Sequence, residues 1–403
     1  MHTDLLLFEP ITPVKMLTKY SKAVVAVCCL LATASYANHT KPSVEELRIN
    51  KAQQAMPSVV NRLSQRVNSF DDQVNKARSY TTLMQLVLRH SSLLWQDAVV
   101  GFKQANDQDD RALYWARLQM SASLRGAKTF KTLLPDQQVK LLWQFELLSR
   151  GQSDVDFNRN TSKRILITGF DPFSLDQHID QSNPSGAAAL ALDDIVISAS
   201  GESVEIETLI VPVRFADFDQ GMIETLLTPY FAKQSVDMVI TVSMGREDFD
   251  LEHFPGLRRS TKTPDNLNVY TGADVENPLV PRLNGQPLKG PEFVRFSLPY
   301  QAMKKATGQY KVNDNHFVQT LDKGKIYPER LSQLRGETSV QGSGGGYLSN
   351  EISYRSILLR NDFAPVMPVG HIHTPKIKAF EPEKTQDIIE QIKQMIGFAI
   401  TEI

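Results

Sequence analysis

The sequence Arg-Ile-Leu-Ile-Thr-Gly-Phe-Asp-Pro-Phe at residues 164–173 decides the fold class of this chain. Its first half is a short, almost wholly apolar run, typical of a strand that is buried on both faces of a sheet. Similar runs follow at 204–213 and 236–242, and helical stretches at 185–192 and 218–231 separate them. This alternation predicts a three-layer α/β sandwich with a largely parallel sheet.

The residues after this first strand argue against a nucleotide site. A dinucleotide-binding sheet of this class needs Gly-x-Gly-x-x-Gly directly after the strand. Here Gly169 is followed by Phe170-Asp171-Pro172-Phe173, which places aromatic rings where the phosphate-binding turn needs glycines. We therefore predict no nucleotide, and the sequence has no motif that favours another cofactor.

Residues 38–150 are predicted to form a small all-helical domain. Apolar residues recur there at helical spacing, which is best explained as a packed core, and the partner of this region is left unidentified. The polar stretch 151–163 is predicted to be a linker to an α/β domain at 164–403. The helical stripe begins with Val60, Leu63, Val67 and Phe70.

The first 37 residues have the organisation of a secretory signal peptide. Lysines precede the apolar run 23–34, and Ser35-Tyr36-Ala37 places small residues at the −3 and −1 positions of a cleavage site. A membrane anchor is the alternative, but roughly a dozen apolar residues are too few to span a bilayer. We expect cleavage after Ala37, no membrane span afterwards, and a periplasmic or secreted protein.

Cysteine content and charge narrow the function further. The only cysteines of the sequence, Cys28 and Cys29, lie in the predicted signal peptide, so the mature protein would have no thiol. That agrees with export to an oxidising compartment. A formal net charge of −1 gives no electrostatic reason to expect nucleic acid as a partner.

Two later segments have the layout of a covalent hydrolase. Gly-Gly-Gly-Tyr-Leu-Ser-Asn at 344–350 places a hydroxyl on a small-residue turn before a predicted helix at 350–359. Gly-His-Ile-His-Thr-Pro at 370–375 supplies an imidazole in a Pro-flanked loop. A nucleophile on a tight turn and a base that follows on the next strand are what acyl transfer requires.

With the segment at 164–173, these motifs resemble the type I pyroglutamyl peptidases, a family of cysteine exopeptidases. The resemblance covers roughly residues 164–400 and rests on fragments that occur in the same order along the chain. Where the family has its nucleophilic cysteine, this chain has Ser349. The fragments are Thr168–Phe173, Asn183–Ser185, Asp250–Glu252, Pro264–Asn266, Ser297–Pro299, Gly346–Asn350 and Gly370–Pro375.

The resemblance implies a role for each matching catalytic position. His373 matches the general base and Glu252 the acid that orients it, with Ser349 in the nucleophile position. The plainer interpretation of Glu252 is a solvated surface acid, and that of His373 is a loop histidine or half of a metal pair with His371. A zinc site built on such a pair needs a third and a fourth ligand, and His253 is the only nearby candidate in the sequence. We therefore predict no metal here.

The resemblance also implies a substrate pocket. Phe170, Phe173 and Tyr347 match aromatic residues that hold the five-membered lactam ring, although a phenylalanine pair beside a strand is often core packing. Lys262 takes the place of an arginine near the developing oxyanion. The positive charge is kept, but the planar guanidinium with its paired N–H donors is lost. His371 falls where the family has an aromatic or apolar residue.

Two functions follow from these residues. The resemblance implies a Ser-His-Glu hydrolase that removes an N-terminal pyroglutamyl residue from peptides. The alternative is a catalytically inactive pseudo-peptidase that binds blocked peptide N-termini or a protein partner. Glu252 and His373 favour the enzyme, because a binding pocket needs neither. Lys262, His371 and the long stretch before Ser349 favour the alternative.

The segment 304–341 is rich in charged and turn residues and has no long apolar face. Long connections of this kind are usually lids or mobile loops. We therefore expect a surface connection close to the Ser349 turn.

Export is directly testable. If the signal peptide is removed as expected, the native protein begins near Asn38 and takes up no thiol reagent, because Cys28 and Cys29 leave with the signal. Intact-mass spectrometry of the exported protein checks both points. A mass that retains Met1 or Met16 would contradict the expectation.

Overall fold

The computed structural model describes residues 39–105 and 107–403. Contacts join residues 39–403 into one compact unit. The predicted signal peptide at 1–37, with its cysteines and its cleavage site, lies outside the described residues. Within the described ranges, no helix is both long enough and apolar enough to cross a membrane.

The N-terminal region is helical from residue 44 to residue 148, as the apolar spacing predicts. Its first helix begins with a capping box, in which Ser43 Oγ accepts from the Glu46 N–H and the Glu46 carboxylate accepts from the Ser43 N–H. The helices described here are α1 Val44–Leu47, α2 Ile49–Ala55, α3 Pro57–Val60, α4 Ser64–Lys76, α5 Tyr80–Ala105, α6 Arg111–Gly126, α7 Lys128–Lys131 and α8 Pro135–Leu148.

Strands and helices alternate after residue 163. The strands are β1 Lys163–Phe170, β2 Ile195–Ala199, β3 Glu202–Val211, β4 Met238–Met244, β5 Phe249–Glu252, β6 Arg282–Leu283, β7 Gln286–Pro287, β8 Val312–Asn315, β9 Val318–Thr320, β10 Gly324–Ile326, β11 Ser339–Gln341 and β12 Val369–Thr374. The helices are α9 Pro184–Leu192, α10 Phe215–Asp219, α11 Met222–Lys233, α12 Tyr300–Met303, α13 Leu348–Phe363 and α14 Pro382–Ala399, with 3-10 turns at Leu331–Leu334 and Ile400–Glu402.

The main sheet has seven strands among the described residues, in the order β2-β3-β1-β4-β12-β5-β8. The pairs β1–β3, β1–β4, β4–β12 and β5–β8 are parallel, whereas β2–β3 and β5–β12 are antiparallel. Every residue of β12 is buried, and so is every residue of β4 except Met244. Burial on both faces explains why these strands are almost continuously apolar. The predicted α/β class with a largely parallel sheet is confirmed.

The segment 304–341 is more ordered than its sequence indicates. β8 adds to the edge of the main sheet, and β10 and β11 both pair with β9, over a small core to which Phe254 and Phe293 also contribute. The segment therefore contains strands where the sequence indicates a lid or mobile loop, although most residues of 321–333 are exposed, as expected of a surface segment. A four-residue strand such as Val312–Asn315 has too short a pattern to be recognised locally.

The helical and α/β regions share buried side chains. α5 packs against α9, and the Trp95 indole donates to Asp193 Oδ2 over 3.3 Å. Gly151, at the start of the predicted linker, has φ +96°, and a Cβ there would lie 2.9 Å from both the Thr208 carbonyl and the Trp95 ring. The boundary at 151–163 falls between α8 and β1, and the apolar cluster continues across it.

One carboxylate just after β1 anchors the helical region. Asp171 Oδ2 accepts from Arg117 of α6 over 2.7 Å and from Arg150, directly beyond α8, over 2.8 Å. All three side chains are at most 2% exposed. The Glu146 carboxylate forms ion pairs with both Arg150 and Arg214. Buried guanidinium groups depend on such partners, because each would otherwise be an uncompensated charge.

Removal of this anchor should destabilise the whole unit. We expect Asp171→Asn to lower the free energy of unfolding by about 3–5 kcal/mol, because two buried cations lose their shared anion. Equilibrium urea unfolding measures the change. The control is Asp194→Asn, whose pair with Arg159 is half exposed on both sides and is worth about 1 kcal/mol or less. Equal effects of the two substitutions would contradict the role of Asp171.

Candidate active site

The end of β1 and the start of α9 form one wall of a cavity. Phe170 is the last residue of β1 and is buried, and Phe173 follows it in the loop. Asn183 caps α9 by accepting from the Ser185 N–H, and its amide donates to the Asp171 carbonyl over 2.9 Å. Gly169 allows the close approach of strand and helix, since a Cβ there would lie 2.2 Å from the Ser185 carbonyl.

The predicted acid and base form a buried pair. Glu252 Oε1 and His373 Nδ1 lie 2.5 Å apart, and the Glu252 side chain is fully buried. Burial raises the pKa of Glu252, while the charge and hydrogen bond of His373 oppose that rise. His373 belongs to β12 and not to the loop that the flanking proline indicates, so the sheet fixes its position. Among the described residues, His373 Nε2 has no hydrogen-bond partner.

Asn315 completes this pair and was missed at the sequence level. Its side-chain amide donates to Glu252 Oε2 over 2.7 Å and to the Ser343 carbonyl over 3.2 Å. The parallel pairing of β5 with β8 places Asn315 beside Glu252. The polar run from Asn313 to His316 was the available signal, but its position against Glu252 depends on that pairing.

Ser349 lies in the first turn of α13, as predicted. Its hydroxyl donates to the Gly344 carbonyl over 3.2 Å, and no hydrogen bond joins it to His373 in the part of the chain that the structure describes. The first N–H groups of a helix have no acceptor within that helix. Those of Leu348, Ser349 and Asn350 therefore have no acceptor within α13, which is the arrangement that binds anions at helix starts.

A cavity of about 40 Å³ adjoins this hydroxyl. Four of the predicted site residues line this cavity: Phe170, Phe173, Tyr347 and Ser349. Lys262 is not among the lining residues: its side chain is 76% exposed, and its ammonium lies 3.6 Å from Asp274. The lining consists of Phe170, Phe173, Asn183, Val213, Ser243, Met244, Tyr347, Leu348 and Ser349.

His371 supports the cavity wall from behind. Its Nδ1 lies 2.8 Å from Thr241 Oγ1 and its Nε2 2.8 Å from Ser243 Oγ. Burial holds the pKa of His371 well below its usual range, so the ring is neutral. Both ring nitrogens are engaged by hydroxyls, which leaves neither for a metal pair with His373. His253 lies instead against Asp314, on another part of the sheet.

Comparison with known proteins assigns the chain to a family. Residues 164–284 and 300–378 match the family model described as PA0049, C-terminal domain, and residues 28–146 match the PA0049 N-terminal domain. The uncharacterized protein PA0049 of Pseudomonas aeruginosa is 30% identical over 390 residues, covering 74% of this chain and 70% of that protein. This chain belongs to the PA0049 family.

Solved structures of two peptidases are similar to part of the chain. Pyrrolidone carboxyl peptidase from Pyrococcus furiosus has 21% sequence identity and a TM-score of 0.40, covering 59% of this chain and 99% of that one. Pyroglutamyl peptidase I from Bacillus amyloliquefaciens has 19% identity and a TM-score of 0.40, covering 60% and 98%.

The short contact between Glu252 and His373 should be visible in solution. A proton held between two close heavy atoms and shielded from water resonates far downfield and exchanges slowly. We expect such a ¹H NMR signal from the His373 Nδ1 proton of the wild-type protein and its loss in Glu252→Gln. His178→Gln, at an exposed histidine, is the control and should leave the signal unchanged. A signal that persists in Glu252→Gln would contradict the pairing.

Proposed function

We propose that this protein is a pyroglutamyl-peptidase-like hydrolase that removes an N-terminal pyroglutamyl residue with Ser349 as the nucleophile, His373 as the base and Glu252 as the orienting acid. The observation that carries the proposal is the buried contact of 2.5 Å between Glu252 and His373. A binding pocket has no use for a fully buried carboxylate paired with an imidazole, whereas acyl transfer with a histidine base uses one to orient the ring and to stabilise the imidazolium.

The pair is connected to the nucleophile through a short chain of contacts. Asn315 bridges Glu252 and the Ser343 carbonyl. The next residue, Gly344, accepts the hydrogen bond from Ser349 Oγ. The turn at Ser343 and Gly344 is thus linked to Glu252 through Asn315 and bonds directly to the Ser349 hydroxyl. This link favours a common site for the acid and the hydroxyl.

The proposed reaction uses these groups in turn. Ser349 Oγ leaves the Gly344 carbonyl, gives its proton to His373 Nε2 and attacks the carbonyl carbon of the scissile amide. Glu252 stabilises the imidazolium that forms, and the N–H groups of the first α13 turn stabilise the oxyanion. His373 then protonates the leaving amine. Water hydrolyses the acyl-serine by the same proton route and frees pyroglutamate.

The cavity lining favours this substrate class. A pyroglutamyl residue has no charged amine, so it suits a pocket with apolar walls and few polar groups. Phe170, Phe173 and Tyr347 supply such walls, and the Asn183 side chain supplies polarity. The Tyr347 hydroxyl donates to the Pro264 carbonyl over 2.9 Å, which fixes its ring. We propose that the enzyme acts on peptides in the periplasm or outside the cell.

A second candidate function is binding without turnover. The observation that favours it is the hydrogen bond from Ser349 Oγ to the Gly344 carbonyl, which directs the hydroxyl proton away from His373. In that case, the cavity holds a blocked peptide N-terminus, and Glu252 and His373 are remnants of an ancestral site.

Turnover of a pyroglutamyl aminomethylcoumarin amide separates the two functions. We expect slow release of the fluorophore by the wild-type protein and a loss of about 100-fold or more with Ser349→Ala or His373→Ala, because triad members act as a unit. Ser356→Ala, at a buried hydroxyl on the same helix that donates to the Ser353 carbonyl, is the matched control and should retain activity.

Ser349→Cys is the informative variant. It restores a thiol beside the same imidazole, so we expect activity that iodoacetamide abolishes, whereas iodoacetamide does not affect the wild type. No turnover by either protein, together with retained binding of a pyroglutamyl peptide, would reject the enzyme and support the binding function. No turnover and no binding would reject both.

A further inference from the structure

A second cluster of polar side chains lies on the other side of the strand pair that carries Glu252. β5 and β8 pair in parallel with Glu252 opposite Asn315, and the His253 N–H continues this ladder by donating to the Asn315 carbonyl. Because side chains alternate along a strand, Asp314 and His316 project opposite to Asn315. His253 likewise projects opposite to Glu252.

Three potential ligand atoms converge there. Asp314 Oδ1 contacts His253 Nε2 and lies 3.1 Å from His316 Nε2. One donor atom from each of these residues lies within 4.8 Å of the other two. The two imidazole rings stack with centroids 4.0 Å apart, so both edges are presented to the same carboxylate.

One ring nitrogen of His316, Nε2, faces the Asp314 carboxylate. His316 Nδ1 lies 2.8 Å from the Pro328 carbonyl, which can only accept, so Nδ1 carries the proton. In the neutral ring, Nε2 is then a lone pair that faces the Asp314 carboxylate, which is also an acceptor. Two facing acceptors repel each other, and a cation bound between them removes that repulsion.

The His253 ring is buried among Phe254, Phe296 and Tyr300. Neither ring nitrogen makes a well-directed hydrogen bond to another described residue.

We propose that His253, Asp314 and His316 form a binding site for a divalent first-row transition-metal ion. Two imidazole nitrogens and one carboxylate favour zinc, cobalt or iron over magnesium and calcium, which prefer oxygen ligands. The Pro328 carbonyl orients His316 from the second coordination shell, as carbonyl groups commonly do at metal sites. Three protein ligands leave coordination positions for water or another ligand.

This inference is independent of the proposed peptidase activity. Its ligands face away from Glu252 and Asn315, and no step of the hydrolysis passes through them. The ion would clamp β8, the edge strand, to β5. It would thereby stabilise the segment that presents Asn315 to Glu252.

Cobalt binding to the tag-free mature protein tests the site. Co²⁺ held in a four- or five-coordinate site has visible absorption bands that are much stronger, and at longer wavelength, than the weak band of free Co²⁺, and Zn²⁺ should displace it. We expect one equivalent to bind and to raise the melting temperature. His316→Gln and Asp314→Asn should each weaken binding by at least ~100-fold, more than the loss of a second-shell group. Mg²⁺ and Ca²⁺ should not compete.

Two matched variants control for unspecific binding. Asp322→Asn removes an exposed carboxylate from the same segment, and His178→Gln removes an exposed imidazole elsewhere, so both should bind Co²⁺ as the wild type does. Both ligand variants lie at half-buried positions, and circular dichroism verifies their folding. Equal Co²⁺ affinity in the wild type and in folded Asp314→Asn, or no binding by the wild type, would overturn the proposal.

Discussion

The structure depends on the convergence of two buried guanidinium groups on the carboxylate of Asp171. Arg117 and Arg150 belong to the helical region, whereas Asp171 follows the first strand of the sheet. Its N–H donates to the Val211 carbonyl at the end of β3, and its carbonyl accepts from the Asn183 amide. One residue therefore joins the helices, the sheet and the cavity wall. The helical region is thus part of the framework that positions the site.

The parts of the site that could be predicted are those that local sequence determines. Phe170 and Phe173 follow an obvious buried strand, and Ser349 follows a glycine run that opens a helix. Lys262 could not be placed in this way, because nothing local sets the direction of a side chain in a long loop. Asn315 could not be found because its role depends on the pairing of strands that are 63 residues apart.

The α/β class could be predicted because central parallel strands need apolar residues on both faces. The shared core could not be predicted, since a helical stripe looks the same whether it packs against another helix or against a sheet domain. α9 shows the difficulty. Almost all residues of α9 are buried, because the helix packs against the sheet, against α14 and against α5 of the helical region. Its sequence indicates burial without indicating the partner.

The anchor at Asp171 has a consequence for the order in which its partners become available while the chain emerges N-terminus first, from a ribosome or from a translocon. Arg117 of α6 and Arg150 beyond α8 precede Asp171 and emerge before it, and helices assemble from local contacts faster than a sheet whose neighbours are distant in sequence. The carboxylate of Asp171 thus emerges after both of its cationic partners. When a complete chain refolds from denaturant, all three residues are present from the start, so no such order is imposed.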